Sequence, residues 1–162
     1  MTATPIQIRR AEVKDLAILA RFGLALARLH ATFDERRFLV PAEGEGRFLR
    51  FFEAELARED AVLLIAELGA APVGYAFVRL EAESLEDLRG PGAFLHDIYV
   101  APEVGERGVG RRLVEAAFEA ARSLGSSSLS LGVSPRNARA RALFDRMGFR
   151  ATMVEMRAEL KK

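Results

Sequence analysis

The feature that most constrains the fold is a glycine-rich turn placed between a strand pattern and a helix pattern. Residues 93–102, AFLHDIYVAP, favour a strand that ends at its proline. Residues 104–113, VGERGVGRRL, hold three glycines, and apolar residues recur at helical spacing through 109–124. A strand, a glycine turn and an amphipathic helix in this order predict an α/β unit in which the helix N-terminus stands open.

Two nucleotide motifs fit this turn poorly. Gly105 and Gly110 have the spacing of a P-loop, but arginines at the next two positions replace its lysine and its magnesium-binding hydroxyl, which excludes that site. Gly108 and Gly110 begin a dinucleotide fingerprint, but Leu113 stands where its third glycine belongs.

A third interpretation rests on local physics alone. The first N–H groups of a helix are unpaired, the helix dipole favours an anion there, and glycine allows a ligand to approach the backbone closely. Each such contact is worth about 0.3–1 kcal/mol, so a pyrophosphate spanning several of them needs no metal. Arg107, Arg111 and Arg112 add positive charge. A glycine-rich turn without any ligand remains the alternative.

Composition narrows the class of protein. The chain has 162 residues, half of them apolar, which suits one domain with a sizeable core. A net charge of +1 gives no reason to expect a nucleic-acid partner. The absence of cysteine excludes disulfides, thiolate metal sites and a cysteine nucleophile, and we expect no metal. Apolar runs such as residues 61–66 are short, so we expect no membrane span and a cytoplasmic protein.

Periodicity predicts the element order β-α-α-β-β-β-α-β-α-β within one α/β domain over residues 1–162. Strands are predicted at 6–11, 61–67, 73–81, 93–102, 128–133 and 149–160. Helices are predicted at 13–28, 48–58, 109–124 and 136–147.

Two segments of the second half carry a family resemblance. Residues 94–117, FLHDIYVAPEVGERGVGRRLVEAA, resemble the acetyl-CoA-binding segment of the GNAT superfamily of N-acetyltransferases. Residues 128–149 resemble the second cofactor segment of that family, with Asn137, then Ala140, Phe144 and a final Gly-Phe pair. In the first half only the element order supports the resemblance.

The resemblance implies a fold and a division of labour. The fold is a mixed, mostly antiparallel sheet of six to seven strands flanked by about four helices. The strands at 93–101 and 128–133 are expected to splay apart, with the thioester in the gap. Residues 93–149 then form the acetyl-CoA-binding core, and the N-terminal half forms the acceptor side.

The resemblance also implies cofactor contacts. The backbone at 98–100 is expected to pair with the pantetheine arm, and the N–H groups from Gly105 to Arg111 to hold the pyrophosphate. The implied cofactor-binding residues are Ile98, Tyr99, Val100, Gly105, Glu106, Arg107, Gly108, Val109, Gly110, Arg111, Asn137, Arg139 and Phe144. Arg139 is a candidate for the 3′-phosphate. Two positions depart from the family pattern. Relatives usually have Gln or Arg at the position of Gly105. Many have, at the position of Phe144, a tyrosine whose hydroxyl is proposed to protonate the departing thiolate.

Acid–base candidates lie on the same strand. An alkylamine has a pKa of about 10.4, so a group must remove its proton before attack. His96 is a candidate base, with a packed strand histidine as the alternative. Alternation places Asp97 on the opposite strand face, where it orients a substrate ammonium or pairs with an arginine. Tyr99 shares the face of Asp97 and is a candidate acid.

Further candidates follow the first helix. His30 and Asp34 lie in a region that lines the acceptor site in relatives, and a solvated helix-end histidine is the alternative for His30. The leading hypothesis is an N-acetyltransferase that moves an acetyl group from acetyl-CoA to a small primary amine within a ternary complex. Alternatives are a non-catalytic acyl-CoA sensor and a peptide or protein N-acetyltransferase, and a homodimer is expected.

Overall fold

The structure is a computed structural model that describes residues 4–160. Within these residues the chain forms five strands and four α-helices. The strands are β1 (Ile6–Arg10), β2 (Ala61–Leu68), β3 (Ala71–Glu81), β4 (Gly92–Val100) and β5 (Leu129–Leu131). The helices are α1 (Leu16–Phe33), α2 (Glu45–Leu56), α3 (Val109–Ser123) and α4 (Ala138–Arg146).

The strands form one mixed sheet in the order β1-β2-β3-β4-β5. The first four strands pair antiparallel, and β5 joins β4 in parallel after the α3 crossover. The parallel pair needs that crossover because a short turn cannot bring a second strand back in the same direction.

Each face of the sheet carries its own hydrophobic core. On one face α3 and α4 bury residues such as Leu113 and Phe144 against alternate side chains of β2, β3 and β4. On the other face α1 and α2 bury Leu19 and Phe52 against Tyr75 and Phe77 of β3. The side chains of β3 therefore point alternately into two cores, as the pleat of a strand requires.

Helix α1 is more apolar than the sequence interpretation allowed. Together with the 3-10 turn before it, Val13–Phe33 is long and apolar enough, with a mean hydropathy of 1.4, to pass a length-and-composition test for a membrane span. A buried core helix of a globular protein passes the same test, so the expectation of no membrane span stays a prediction. One side of α1 lies in the core, with Leu19 and Ala20 fully buried.

The predicted strand at 149–160 does not form. Residues 150–160 have no regular structure and are exposed along their whole length. The sheet accordingly has five strands in the described part of the chain, not six to seven. The sequence pattern could not show this, because a strand forms only where a neighbour offers backbone partners, and the free edge of β5 is three residues long.

The pairing of β4 with β5 is short. Only Ala93, Phe94 and Leu95 pair with β5, while β4 continues to Val100. The last part of β4 is therefore open on its β5 side, which agrees with the predicted splay of these two strands.

A charged cluster fixes the first helix to the sheet. Arg9 on β1 donates to both oxygens of Asp15, at 2.7 and 2.9 Å, and to Glu67 on β2 at 2.8 Å. The Asp15 side chain is only 6% exposed. The hydrogen bonds from Arg9 hold the pKa of Asp15 below its usual value, against the effect of burial.

Candidate functional site

The glycine turn begins directly after β4. A 3-10 turn, Pro102–Val104, leads into the loop, and α3 begins at Val109 with Gly108 as its N-cap. Gly105 has φ +65° and Gly108 has φ +84°, values in the left-handed region that side chains disfavour. These backbone conformations explain why positions 105 and 108 are glycine.

The loop leaves a row of free backbone donors. Within residues 4–160, no protein acceptor lies within hydrogen-bonding distance of the amides of Glu106 to Arg111. A Cβ placed on Gly105 or Gly108 would meet no atom within 4 Å, so open space lies beside both residues. Unpaired amides around open space at the positive end of a helix fit a diphosphate.

Helix α4 brings a further cation to this loop. Arg139, in the first turn of α4, approaches the carbonyl oxygen of Gly105 at 3.5 Å. The start of α3 lies close to α4, since a Cβ on Gly110 would stand 3.2 Å from Leu143. Arg111 instead pairs along its own helix with Glu115 at 2.9 Å, so its amide, more than its guanidinium, faces the loop.

The open edge of β4 presents the polar backbone groups of alternate residues. Ala101 donates to the carbonyl of Val73 at 2.8 Å, so Ala101 and Tyr99 direct their N–H and C=O groups toward β3. Ile98 and Val100 therefore direct theirs away from β3, into the gap beyond β5. Of the three residues expected to pair with pantetheine, these two have the matching orientation and Tyr99 does not.

A β-bulge in β4 changes which side chains share a face. Phe77 pairs with Asp97 and Val78 pairs with Leu95, so His96 is the extra residue. His96 stacks on Phe77, and Asp97 contacts Tyr75, and both partners point into the α1–α2 core. The expectation that His96 and Asp97 lie on opposite faces was therefore wrong, because a bulge resets the alternation of a strand.

His96 lies between two aromatic rings and a carboxylate. Its ring is 5.1 Å from that of Phe77 and 4.9 Å from that of Phe94. Its Nε2 atom is 2.6 Å from Glu81 Oε1. Burial raises the pKa of Glu81, but its hydrogen bonds with His96 and Arg79 outweigh this and hold the pKa below its usual value. Glu81 is thus a carboxylate facing the imidazole.

Asp97 is bonded to a tyrosine instead of an arginine. The Tyr75 hydroxyl donates to Asp97 Oδ2 at 2.9 Å. Burial raises the pKa of Asp97, against the opposing effects of this hydrogen bond and of the charge on His96. The Tyr99 ring packs on Phe22 at 5.3 Å, and burial, with a smaller effect of Glu103, raises the pKa of Tyr99. Tyr99 therefore keeps its proton at neutral pH.

Asn137 and Phe144, which the resemblance assigns to cofactor binding, both make contacts that stabilise the fold itself. Asn137 caps α4, its Oδ1 atom accepting from the Ala140 amide at 3.1 Å. Phe144 is 5% exposed and packs against Phe149 with the rings 5.6 Å apart. A ring buried in this way lines the core beneath the loop and offers no proton.

His30 lies in the last turn of α1, and Asp34 is its C-cap. His30 stacks on Phe38 at 4.8 Å, and burial lowers its pKa against a hydrogen bond with the Leu26 backbone. Asp34 accepts from the Arg36 amide at 3.0 Å. Asp34 lines a groove of about 670 Å³ between the end of α1, the residue before α4 and the C-terminal segment. The charged residues that line it are Asp34, Glu35, Arg36, Arg136, Arg157 and Glu159.

Three residues of this site escaped sequence reasoning. Glu81 and Tyr75 were treated only as parts of a strand, although Glu81 shares the alternation that brings Tyr75 and Phe77 to one face. Arg136 was predicted to begin the helix at 136–147, but it lies before α4 and donates to the Phe33 carbonyl at 2.7 Å, which joins the segment before α4 to the end of α1. A strand carboxylate in phase with aromatic residues was the available signal.

Comparison with known proteins identifies the family. The model of the Acetyltransferase (GNAT) family matches residues 26–149. An uncharacterized N-acetyltransferase, YhfO of Bacillus subtilis strain 168, is 27% identical over 146 residues, 89% of each chain. Thialysine N-epsilon-acetyltransferase of Bos taurus is 33% identical over 93 residues, 52% of this chain and 53% of that protein.

A solved structure shows the same fold. The aminoglycoside acetyltransferase AAC(6')-Iy, in complex with the bisubstrate analogue CoA-S-monomethyl-acetylneamine, superposes with a TM-score of 0.73 at 19% identity, covering 98% of this chain and 99% of its own. The free amides, the open edge of β4 and the family match agree, and the chain belongs to the GNAT family of acetyltransferases, enzymes that use acetyl-CoA as the acyl donor.

Proposed function

We propose that this enzyme acetylates the primary amine of a small molecule by direct attack on acetyl-CoA within a ternary complex. The observation that carries the proposal is the bulge in β4, which puts His96, Asp97 and Tyr99 on one face beside an open strand edge. Absence of cysteine leaves no thiol to carry the acetyl group between two half-reactions.

Backbone groups bind the donor in this proposal. The amides of Glu106 to Arg111 and the Arg139 guanidinium receive the phosphates, and the polar groups of Ile98 and Val100 pair with the pantetheine arm. Acetyl-CoA supplies the activated carbonyl when bound. An N–H group on the open edge of β4 lies where it can stabilise negative charge on that carbonyl oxygen.

Side chains handle the protons. His96 accepts a proton from the substrate ammonium, and Asp97 attracts and orients that ammonium. Phe144 has no proton to give, so the departing thiolate takes one from Tyr99, whose raised pKa keeps the hydroxyl protonated. Two protons leave the amine: the first passes through His96 to solvent, and the second, lost after attack, replaces the proton that Tyr99 gave to the sulfur of CoA.

The groove beside Asp34 supports an acceptor that carries both charges. Three carboxylates and three guanidiniums line it. Equal numbers of the two signs suit a zwitterion such as an amino acid better than a polyamine, which needs mainly carboxylates. A thialysine acetyltransferase among the relatives agrees with an amino acid that bears a side-chain amine.

An amine panel tests the proposal. Purified enzyme is given acetyl-CoA and, separately, lysine-like amino acids, polyamines, aminoglycosides and short peptides, and thiol release is followed. We expect the highest kcat/KM with an amino acid. Turnover of peptides alone would overturn the small-molecule assignment. Thiol release without any preference among amines would refute the proposal that the groove beside Asp34 selects the acceptor.

We also propose that the enzyme is a homodimer held by its C-terminal segment. Along 150–160, one side carries Val154, Met156 and Leu160, each at least 76% exposed. The other side carries Glu155, which bonds to Arg37 of its own chain. Apolar alternation with unpaired backbone is the pattern of a strand that adds to another sheet, and we propose that this sheet belongs to a second copy of the chain.

Light scattering during gel filtration tests this assembly. We expect a dimer for the wild type and a monomer for Val154→Asp/Met156→Asp. Met153→Asp is the matched control, because Met153 is 78% exposed but lies on the alternate side of the segment. A wild-type monomer, or equal dissociation by the control, would refute the proposed interface.

A further inference from the structure

We propose that Glu81 is a positioning residue that holds His96 with Nε2 as its donor and leaves Nδ1 as the nitrogen that accepts the substrate proton. This inference rests on the proposed role of His96 as the base. It adds a residue of β3 to a site whose other side chains lie on β4.

The contact is short and its geometry is fixed from several sides. His96 Nε2 lies 2.6 Å from Glu81 Oε1, and Arg79 Nε donates to the same oxygen at 2.9 Å. An ionised carboxylate only accepts hydrogen bonds, so Nε2 must carry the proton. In the neutral ring the lone pair then belongs to Nδ1.

The carboxylate is itself held by a chain of charges that ends in the core. Arg79 also donates to Glu55 Oε1 at 2.9 Å, and Glu55 on α2 is 6% exposed. The Arg79 guanidinium lies 5.8 Å from the centre of the Phe77 ring. Since the partners of Glu81 in this chain come from α2, β3 and β4, its position is set by the fold and not by its own flexible stem.

The imidazole plane is fixed as well. Both Phe77 and Phe94 contact the ring, at 5.1 and 4.9 Å, the first nearly parallel to it at 26° and the second tilted by 44°. Two rings restrict the rotation of His96, and one carboxylate selects its tautomer. A base needs both, because proton transfer requires the accepting nitrogen to face the substrate.

The carboxylates around His96 act in the same direction, while the Arg79 cation opposes them. Glu81 faces His96 from β3, Asp97 is the next residue of β4, and Arg79 lies behind Glu81 with Glu55 of α2 as its other partner. The carboxylates stabilise the imidazolium that forms when the substrate ammonium gives up its proton. That proton then returns to solvent, and no oxidant, reductant or further reactant is needed.

Nuclear magnetic resonance tests the inference without turnover. The chain has two histidines, so a ¹⁵N-histidine-labelled sample gives two ring systems, and a His30→Asn sample assigns them. We expect neutral His96 to be protonated on Nε2 in the wild type. We expect this tautomer preference to weaken in Glu81→Gln, which keeps the shape but replaces an oxygen that only accepts with an amide that can also donate.

Glu67→Gln is the matched control. Glu67 is also a strand carboxylate bonded to an arginine, Arg9, but it lies on β2 and does not touch a histidine. The control should leave the His96 tautomer unchanged. A wild-type ring protonated mainly on Nδ1, or the same tautomer preference in Glu81→Gln as in the wild type, would overturn the inference.

Kinetics with the amine found by the panel separate this inference from the proposed function. Glu81→Gln should lower kcat about tenfold or more with little change in the KM for acetyl-CoA, and should move the acid limb of the pH–rate profile to lower pH. In a His96→Ala background the same change should add nothing. An altered profile in His96→Ala with none in Glu81→Gln refutes the positioning role alone, while a normal profile in His96→Ala refutes the base itself.

Discussion

Gly108→Ala separates two tasks of the glycine turn, its role in folding and its proposed role in phosphate binding. Gly108 has φ +84° and caps α3, so alanine there is strained by about 1–2 kcal/mol, part of which is offset by a stiffer unfolded chain. A Cβ at this position meets no protein atom within 4 Å. We therefore expect a net loss of about 1 kcal/mol in the free energy of unfolding, measured in urea.

The effect on cofactor binding should be much larger. The new methyl group points into the open space around which the amides of 106–111 are arranged. If it displaces the diphosphate from about three of these donors, at about 1 kcal/mol each, the Kd for CoA rises about 100-fold. At a CoA concentration of about 100 times the wild-type Kd, bound ligand stabilises the wild type by about 2.7 kcal/mol and the variant by about 0.4 kcal/mol.

Gly125→Ala is the matched control at the opposite end of the same helix. Gly125 has φ +80° and equally open surroundings, so the strain is alike while the phosphate loop is distant. Calorimetric titration with CoA should give an unchanged Kd for this variant. The reasoning fails if Gly108→Ala binds CoA as tightly as the wild type, or if both variants lose affinity equally.

Two further predictions concern other parts of the fold. Asp15→Asn should lower the free energy of unfolding by about 2 kcal/mol at pH 7, since the Asp15 side chain is 6% exposed and its partner Arg9 is 29% exposed. Because folding lowers the pKa of Asp15, the ionised carboxylate stabilises the fold above its unfolded pKa of about 3.9, and this stabilisation is lost as the pH falls further. The difference between wild type and Asp15→Asn in urea denaturation should therefore shrink in acid. Asp60→Asn, which removes one partner of an exposed ion pair, should change the stability little. Asn137→Asp should keep the α4 cap and the stability but raise the KM for acetyl-CoA about tenfold, through about 1.4 kcal/mol of repulsion from phosphate; an unchanged KM would leave Asn137 with its capping role alone.

Helices and the first strands could be predicted because their patterns are local. The helix over 109–124 ends within one residue of α3, and the strand over 61–67 within one residue of β2. The glycine turn could be interpreted for the same reason, since positive φ and unpaired amides follow from residue type and position. Family membership followed from two such segments in the right order.

The C-terminal segment is the part of the fold that the sequence pattern predicted incorrectly. Residues 149–160 alternate as a strand should, yet the described chain leaves 150–160 unpaired and exposed. Alternation states which side chains would share a face and says nothing about which backbone will pair with it. A strand that needs a partner from another copy has the same sequence pattern as one that finds its partner within its own chain.

The bulge at His96, which sets the positions of the candidate catalytic side chains, could not be predicted from the sequence pattern. In a regular strand, either His96 or Asp97 would point into the α3–α4 core, where Leu95 is buried. An imidazole or a carboxylate in that core would lack the partners that β3 offers on the other face, Glu81 for His96 and Tyr75 for Asp97. One inserted residue therefore satisfies both polar groups, and it leaves the strand beyond them free of β5. The same distortion that avoids two buried unpaired groups thus brings the proposed proton acceptor and the proposed ammonium-orienting carboxylate next to the edge proposed to hold the thioester.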